Sequence, residues 1–221
     1  MKIQVVKQIL TGNEQVAAQN KATFKKNMVF VLNLMASPGA GKTTFLLVTI
    51  DQLGGRLRPG VIEGDLASTI DADTISERGV PVVQINTGGN CHLDAPMIQN
   101  SLPHLPLAEI DLLFIENVGN LVCPSNFSLG ADVDVVVAST PEGHDKPYKY
   151  PAMFAAADVV ILNKADLLDV FEFDVAFFQR GLEMVNPNVP LFVVSSRTGQ
   201  GIAAWVEWLQ QRRSAFTDQK K

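Results

Sequence analysis

With 221 residues, 47% of them hydrophobic and 19% charged, the chain has room for one sizeable core and the balance of a globular protein. A net charge of −5 gives no electrostatic case for nucleic acid, and no apolar run approaches the roughly 18 residues needed to cross a bilayer, so no membrane is expected either. Two cysteines cannot make a disulfide framework; free thiols in a reducing cytoplasm are expected, and "MKIQVVKQIL" is too short and polar for a secretory signal.

Residues 1–28 are polar and read as a helical lead-in through "NEQVAAQNKATFKKN". From there apolar, Val/Ile-rich runs recur: "VFVLNLMA" (29–36), "GVIEGD" (60–65), "PVVQINT" (81–87), "DLLFIEN" (111–117), "DVVVAST" (134–140), "DVVILNK" (158–164) and "PLFVVSS" (190–196). Continuous apolarity, rather than alternation, predicts strands buried on both faces, and the stretches between are long enough for helical crossovers. An α/β three-layer fold with a predominantly parallel central sheet follows, its ligands expected beyond the carboxyl ends of the strands. One domain over 29–214 carries every motif below, with a short tail at 215–221. The segment "GIAAWVEWLQQRRS" places Ile202, Trp205, Val206 and Leu209 on one helical face, as for a terminal helix packed on the sheet.

After the first predicted strand comes "ASPGAGKTT" (36–44), the frame of a Walker A P-loop with Ala36 in place of the leading glycine. Small residues are required where successive N–H groups wrap phosphate oxygens, which assigns Pro38, Gly39, Ala40, Gly41, Lys42, Thr43 and Thr44 to a nucleotide. Lys42 supplies charge to the β- and γ-phosphates, the Thr43 hydroxyl can ligate Mg²⁺, and the following helix aims its positive end at the same anion. Glu116 ends "DLLFIE" where a Walker B acid would sit, and Asp65 ends "GVIEGD". Thr43, Asp65 and Glu116 are thus the candidate Mg²⁺ ligands, and Lys42, Asp65, Asp71 and Glu116 the candidate catalytic set. Which acid positions the attacking water stays open, and helix capping is an equal reading for Asp71 and Asp73.

"NKAD" (163–166) follows a later strand, and "SSRTG" (195–199) follows the last. A carboxylate at Asp166 can accept from guanine N1–H and its exocyclic amine, whereas adenine would leave it unpaired. Asn163, Lys164 and Asp166, with Ser196 and Arg197, therefore predict GTP and GDP as the nucleotides. The two cysteines follow the same rule of placement: Cys91 and His92 lie in "GGNCHLDA" after the third strand, and Cys123 in "ENVGNLVCPSN" after the fourth. Two thiolates and an imidazole suit Ni²⁺ or Zn²⁺, while ordinary buried cysteines fit the same spacing; three ligands fall short of closed coordination, which a two-fold axis between copies would complete.

"FVLNLMASPGAGKTT", "VIEGD", "GGNCHLDA", "LLFIENVGNLVCP", "LGADVDVVVASTPEGHDKPYKYP" and "NKADL" together resemble the HypB family of [NiFe]-hydrogenase accessory GTPases, over about residues 20–200. That resemblance implies a SIMIBI-class P-loop GTPase with slow hydrolysis, a GTP-dependent homodimer and nickel delivery in partnership with a HypA-type chaperone and the hydrogenase large-subunit maturation machinery. It also implies a metal role for Cys91, His92 and Cys123, which correspond to that family's metal motif. Two departures stand out. Residues 1–28 hold neither Cys nor His, so no N-terminal nickel store is expected, and His144 stands where an acid is expected, read here as a solvated loop residue in preference to an extra ligand or a pH-sensitive contact. His104 reads as a surface position. A urease-type (UreG-like) nickel GTPase and a GTP-binding module with a purely structural zinc are the rival readings.

Overall fold

In the computed structural model, which describes residues 4–66 and 68–218, each of the seven apolar runs becomes a strand: β1 (Phe30–Ala36), β2 (Pro59–Asp65), β3 (Val82–Asn86), β4 (Leu112–Glu116), β5 (Val133–Ser139), β6 (Val159–Asn163) and β7 (Leu191–Val193). They form one sheet in the order β3-β2-β4-β1-β5-β6-β7, and every pairing is parallel. β7 is shorter than the run that predicted it. Ser195 leaves the ladder to give its N–H to the Gln200 carbonyl, which turns 195–199 into a loop at the sheet edge.

Among the described residues, eight α-helices connect and cover the strands: α1 (Gln4–Lys26), α2 (Lys42–Leu53), α3 (Ile70–Ser76), α4 (Ala95–Ser101), α5 (Lys146–Lys149), α6 (Pro151–Ala155), α7 (Val175–Val185) and α8 (Ile202–Asp218). The alternation along β1 shows how the layers divide. Phe30, Leu32, Leu34 and Ala36 face one side, where they meet Phe45 and Leu46 of α2 and Trp205 and Leu209 of α8. Val31 and Met35 face the other, over α1 and α4 on one half and α6 and α7 on the other. Ile202, Trp205, Val206 and Leu209 are all buried, so the terminal helix packs on the sheet. The Trp205 indole donates to Thr49 Oγ1 at 3.0 Å, the partner a buried indole requires. α8 continues through 215–218, where Phe216 packs on Phe30 at 5.4 Å between centroids; 219–221 lie outside the described residues.

On the second face Asn33 stands between the two apolar clusters in the middle of β1. Its Nδ2 donates to Asp134 Oδ1 at 2.8 Å, and its Oδ1 accepts from Asn117 Nδ2 at 3.1 Å. Burial pushes the Asp134 carboxyl above its ordinary pKa, against the pull of the Asn33 hydrogen bond. This polar seam ends directly beneath the loop that follows β4. Because β1 is flanked by β4 and β5, the chain reverses its direction of travel across the sheet there, opening a crevice at the carboxyl ends of β1 and β4.

Candidate functional site: a phosphate loop beside a thiol-imidazole cluster

From Ala36 the chain turns through Gly39 at φ 76° and Gly41 at φ 91°, left-handed conformations that disfavour any side chain. α2 then begins at Lys42, so its unpaired N–H groups and positive end face the crevice. A cleft of about 470 Å³ opens there, lined by Pro38, Gly39, Gly41, Lys42, Thr43 and Thr44, by the acids Asp65, Asp71 and Glu116, and by Lys164. Ala40 is buried in the core and lies beneath the loop rather than in the cleft.

The adjacency of β1 and β4 brings Thr43 to Glu116: its hydroxyl donates to Oε1 at 2.8 Å. Glu116 Oε2 is buried and has no hydrogen-bond partner among the described residues. Burial pushes the Glu116 carboxyl up to about 7, although the Lys42 charge and the Thr43 hydrogen bond pull it down. Glu63, which sequence reasoning missed, pairs with Glu116 across β2 and β4. It too is buried with Oε2 unpartnered; burial first, then the Glu116 charge, pushes it up to about 8. A charged residue flanked by apolar ones within a strand buried on both faces was the available signal. Asp65 accepts the Ser68 N–H at 2.9 Å. Of the two ambiguous acids, Asp71 lines the cleft, while Asp73 accepts from the Thr69 hydroxyl in a local contact at 3.1 Å. Thr43, Asp65 and Glu116 offer only hard oxygens, the donor set Mg²⁺ takes, and the orphan Glu116 oxygen is the kind of atom such an ion satisfies.

The "NKAD" residues reach the loop from β6. Asn163 Nδ2 donates to the Ala40 carbonyl at 3.1 Å, while its Oδ1 accepts from the Lys164 N–H at 2.8 Å and the Ser196 hydroxyl at 2.9 Å. Asn163 and Ser196 therefore bond each other and brace the phosphate loop. Lys164, held at φ 60°, extends across the cleft to give Nζ to the Gly39 carbonyl at 2.7 Å. Asp166 Oδ1 accepts from Ser195 Oγ at 2.6 Å, and its other oxygen lies 4.0 Å from the exposed Arg197 guanidinium. Ser195, unlike its neighbour Ser196, was not foreseen.

The structure brings Cys91, His92 and Cys123 together although β3 and β4 do not touch in the sheet. The Cys91 thiol donates to Cys123 Sγ at 3.0 Å, and the three candidate donor atoms all lie within 4.8 Å of one another. The His92 ring stacks on Phe127 at 4.0 Å. The hydrogen bond from Cys91, with some burial, pushes the Cys123 thiol up, and burial holds the His92 imidazole below its usual range. These are soft and borderline donors, suited to Ni²⁺ or Zn²⁺. His144 is not with them. The expectation of a solvated loop residue is also corrected: His144 is half-buried, accepts the Asp174 N–H at 3.2 Å, and meets Phe173 and Phe177 edge-on, because α7 begins against it. His104 is exposed.

One loop joins the two places. Glu116 accepts from Thr43; Asn117 Oδ1 accepts the N–H of Leu93, next to His92, at 3.0 Å; Asn120 gives its N–H to the Ala36 carbonyl at 2.7 Å and its Nδ2 to the Cys91 carbonyl at 3.3 Å. Between them Gly119 lies so close to the phosphate loop that a Cβ there would sit 2.9 Å from the Pro38 nitrogen. Cys123 closes the same loop.

A parallel α/β sheet with a lysine-bearing loop at its topological reversal defines a P-loop nucleotide-binding protein, and residues 30–193 match the family described as "CobW/HypB/UreG, nucleotide-binding domain". The chain is 48% identical to the hydrogenase maturation factor HypB of Azotobacter vinelandii, over 96% of this chain and 70% of that one. It is 42% identical to the hydrogenase/urease maturation factor HypB of Helicobacter hepaticus, over 96% and 88%. The crystal structure of HypB from Helicobacter pylori in complex with nickel superposes with a TM-score of 0.89 at 41% identity, covering 92% of this chain and 96% of that one. The chain belongs to the HypB family.

Proposed function

We propose that this protein is a cytoplasmic GTP-hydrolysing nickel metallochaperone and regulator that assists nickel insertion during [NiFe]-hydrogenase maturation. The observation that carries the reading is the Glu116–Cys123 loop, which touches the phosphate loop at three points and ends on a thiol of the cluster. In this reading the P-loop N–H groups and Lys42 bind the β- and γ-phosphates, and Asp166 pairs with the guanine edge under the hold of Ser195. Thr43, Asp65 and Glu116 would hold Mg²⁺, whose charge offsets that developing on the phosphates. Asp65 or Asp71 orients the water that attacks the γ-phosphorus, giving GDP and phosphate. Cys91, His92 and Cys123 hold the nickel cargo, received from or passed to a HypA-type chaperone on the way to the hydrogenase large subunit.

Coupling follows from mechanics. The Thr43 hydroxyl donates to Glu116 and keeps its lone pairs for Mg²⁺, so the ion would sit directly against the Thr43–Glu116 pair, and any shift at Glu116 is passed along a loop fixed at Asn117, Gly119 and Asn120 to the metal ligands. Calorimetric titration of Ni²⁺ into protein saturated with a non-hydrolysable GTP analogue, and then with GDP, tests this. Different affinities are expected; equal affinities would defeat the coupling. By linkage, nickel must change the relative affinity for the two nucleotides by the same factor.

A contribution to urease maturation is a second reading, favoured by the Helicobacter relative that carries both names; complementation of strains deficient in each pathway separates them. A purely structural zinc is disfavoured by the exposed position of Cys91 and by the hydrogen bonds from Asn117 and Asn120, which hold the loops without an ion.

A further inference from the structure

Helix α1 precedes the phosphate loop and contributes no candidate ligand, yet it reaches both segments that carry the cluster. Asn13 Oδ1 accepts the Ala95 N–H at 2.8 Å, and its Nδ2 donates to the Ser128 carbonyl at 2.9 Å. Asn20, two helical turns further along the same face, donates Nδ2 to the carbonyls of Ala95 at 2.9 Å and Leu129 at 3.2 Å. Each asparagine therefore bridges the same two strands of backbone. One runs from Cys91 and His92 into α4, where Asp94 caps Met97 N–H at 2.8 Å; the other runs from Cys123 through Phe127.

The docking of α1 is close as well as polar. Gly130, at φ 88°, lies against the helix backbone between the two asparagines: a Cβ there would collide with the Ala17 carbonyl and sit 2.9 Å from the Lys21 nitrogen. Phe24 adds an apolar contact to the same docking. Two buried amides carry a desolvation cost, and Asn20 Oδ1 has no partner among the described residues, so these side chains are a costly way merely to hold a helix in place. What they add is a link between the two segments themselves.

We propose that Asn13 and Asn20 are positioning residues of the metal site: α1 pins the Cys91–His92 segment to the Cys123–Phe127 segment and sets the separation of their donor atoms. The inference rests on the metal reading of that cluster. Removing a side chain bonded directly to a metal ligand weakens affinity by about 10- to 100-fold; Asn13 and Asn20 act one step further out, through the backbone at Ala95, Ser128 and Leu129, so the lower end of that range is expected.

The test titrates Ni²⁺ alone into the full chain, following affinity by chelator competition and geometry by the thiolate-to-nickel charge-transfer absorption. GTP-analogue affinity and melting temperature are recorded beside it. In Asn13→Leu, nickel affinity is expected to fall about tenfold and the charge-transfer band to shift, with nucleotide affinity unchanged. A merely structural role would lower the melting temperature and leave the band in place, which overturns the proposal. Cys123→Ser separates the layers of the argument: nickel binding that survives it overturns the metal reading and the clamp together. Binding lost in Cys123→Ser but intact in Asn13→Leu overturns the clamp alone. Should Asn13→Leu fail to fold, Asn13→Asp, which keeps the acceptor for Ala95 and loses the donor to Ser128, is read by the same criteria.

Discussion

At the scale of single residues, two side chains of one short motif have different jobs. Asp166 is held by the Ser195 hydroxyl with its second oxygen toward the exposed Arg197, where a carboxylate can meet a guanine edge. Asn163 instead spans from Ser196 to the Ala40 carbonyl and keeps the phosphate loop in shape. Asp166→Asn replaces two acceptors with one acceptor and one donor. It is expected to move preference from GTP toward xanthosine triphosphate by about a hundredfold, since xanthine carries a carbonyl where guanine has its amine and a mismatched buried pair costs roughly 1–3 kcal/mol per group. Competition binding with both nucleotides measures the ratio; an unmoved ratio removes Asp166 from the base pocket. The acceptor chemistry of Asp166 was legible because it follows from residue type. The role of Asn163 was not, because an amide serves base or backbone equally well until its neighbours are placed. His144 was misread for the same reason: nothing near it in sequence announces Phe173 and Phe177.

At the scale of elements, the loop after β4 is the part that two sites share. Seven strands and the helix bearing Trp205 were legible as apolar runs and periodic faces. That this loop lies against the β1 loop was not, since it depends on β4 inserting between β2 and β1. Gly119→Ala probes the contact. Its Cβ meets backbone at Pro38 rather than a yielding side chain, so a loss of about 1–3 kcal/mol of stability is expected, with GTP and nickel affinity falling together. Thermal melting and paired titrations read both. A drop in GTP affinity with nickel binding untouched would show that the loop transmits nothing.

At the scale of the whole molecule, Leu66, Ile70 and Val122 are 49%, 72% and 56% exposed on segments that flank the nucleotide cleft and the thiol cluster. Apolar side chains gathered there, beside a three-donor site that is one ligand short of tetrahedral, suit burial against a second copy. Light scattering is expected to show more dimer with a GTP analogue than with GDP, and Ile70→Asp to remain monomeric without losing GTP affinity. A wild type that stays monomeric with either nucleotide would exclude the second copy. What the sequence by itself determined was chemistry that depends on residue type and local spacing: a glycine-rich loop bearing Lys42, a carboxylate acceptor at Asp166, two thiols and an imidazole, and strands apolar enough to be buried on both faces. What only the tertiary structure decided was which of these touch. Cys91 meets Cys123 across non-adjacent strands, Glu63 pairs with Glu116, and α1 staples both thiol-bearing segments, because those contacts are set by strand order and helix docking and not by any pattern along the chain.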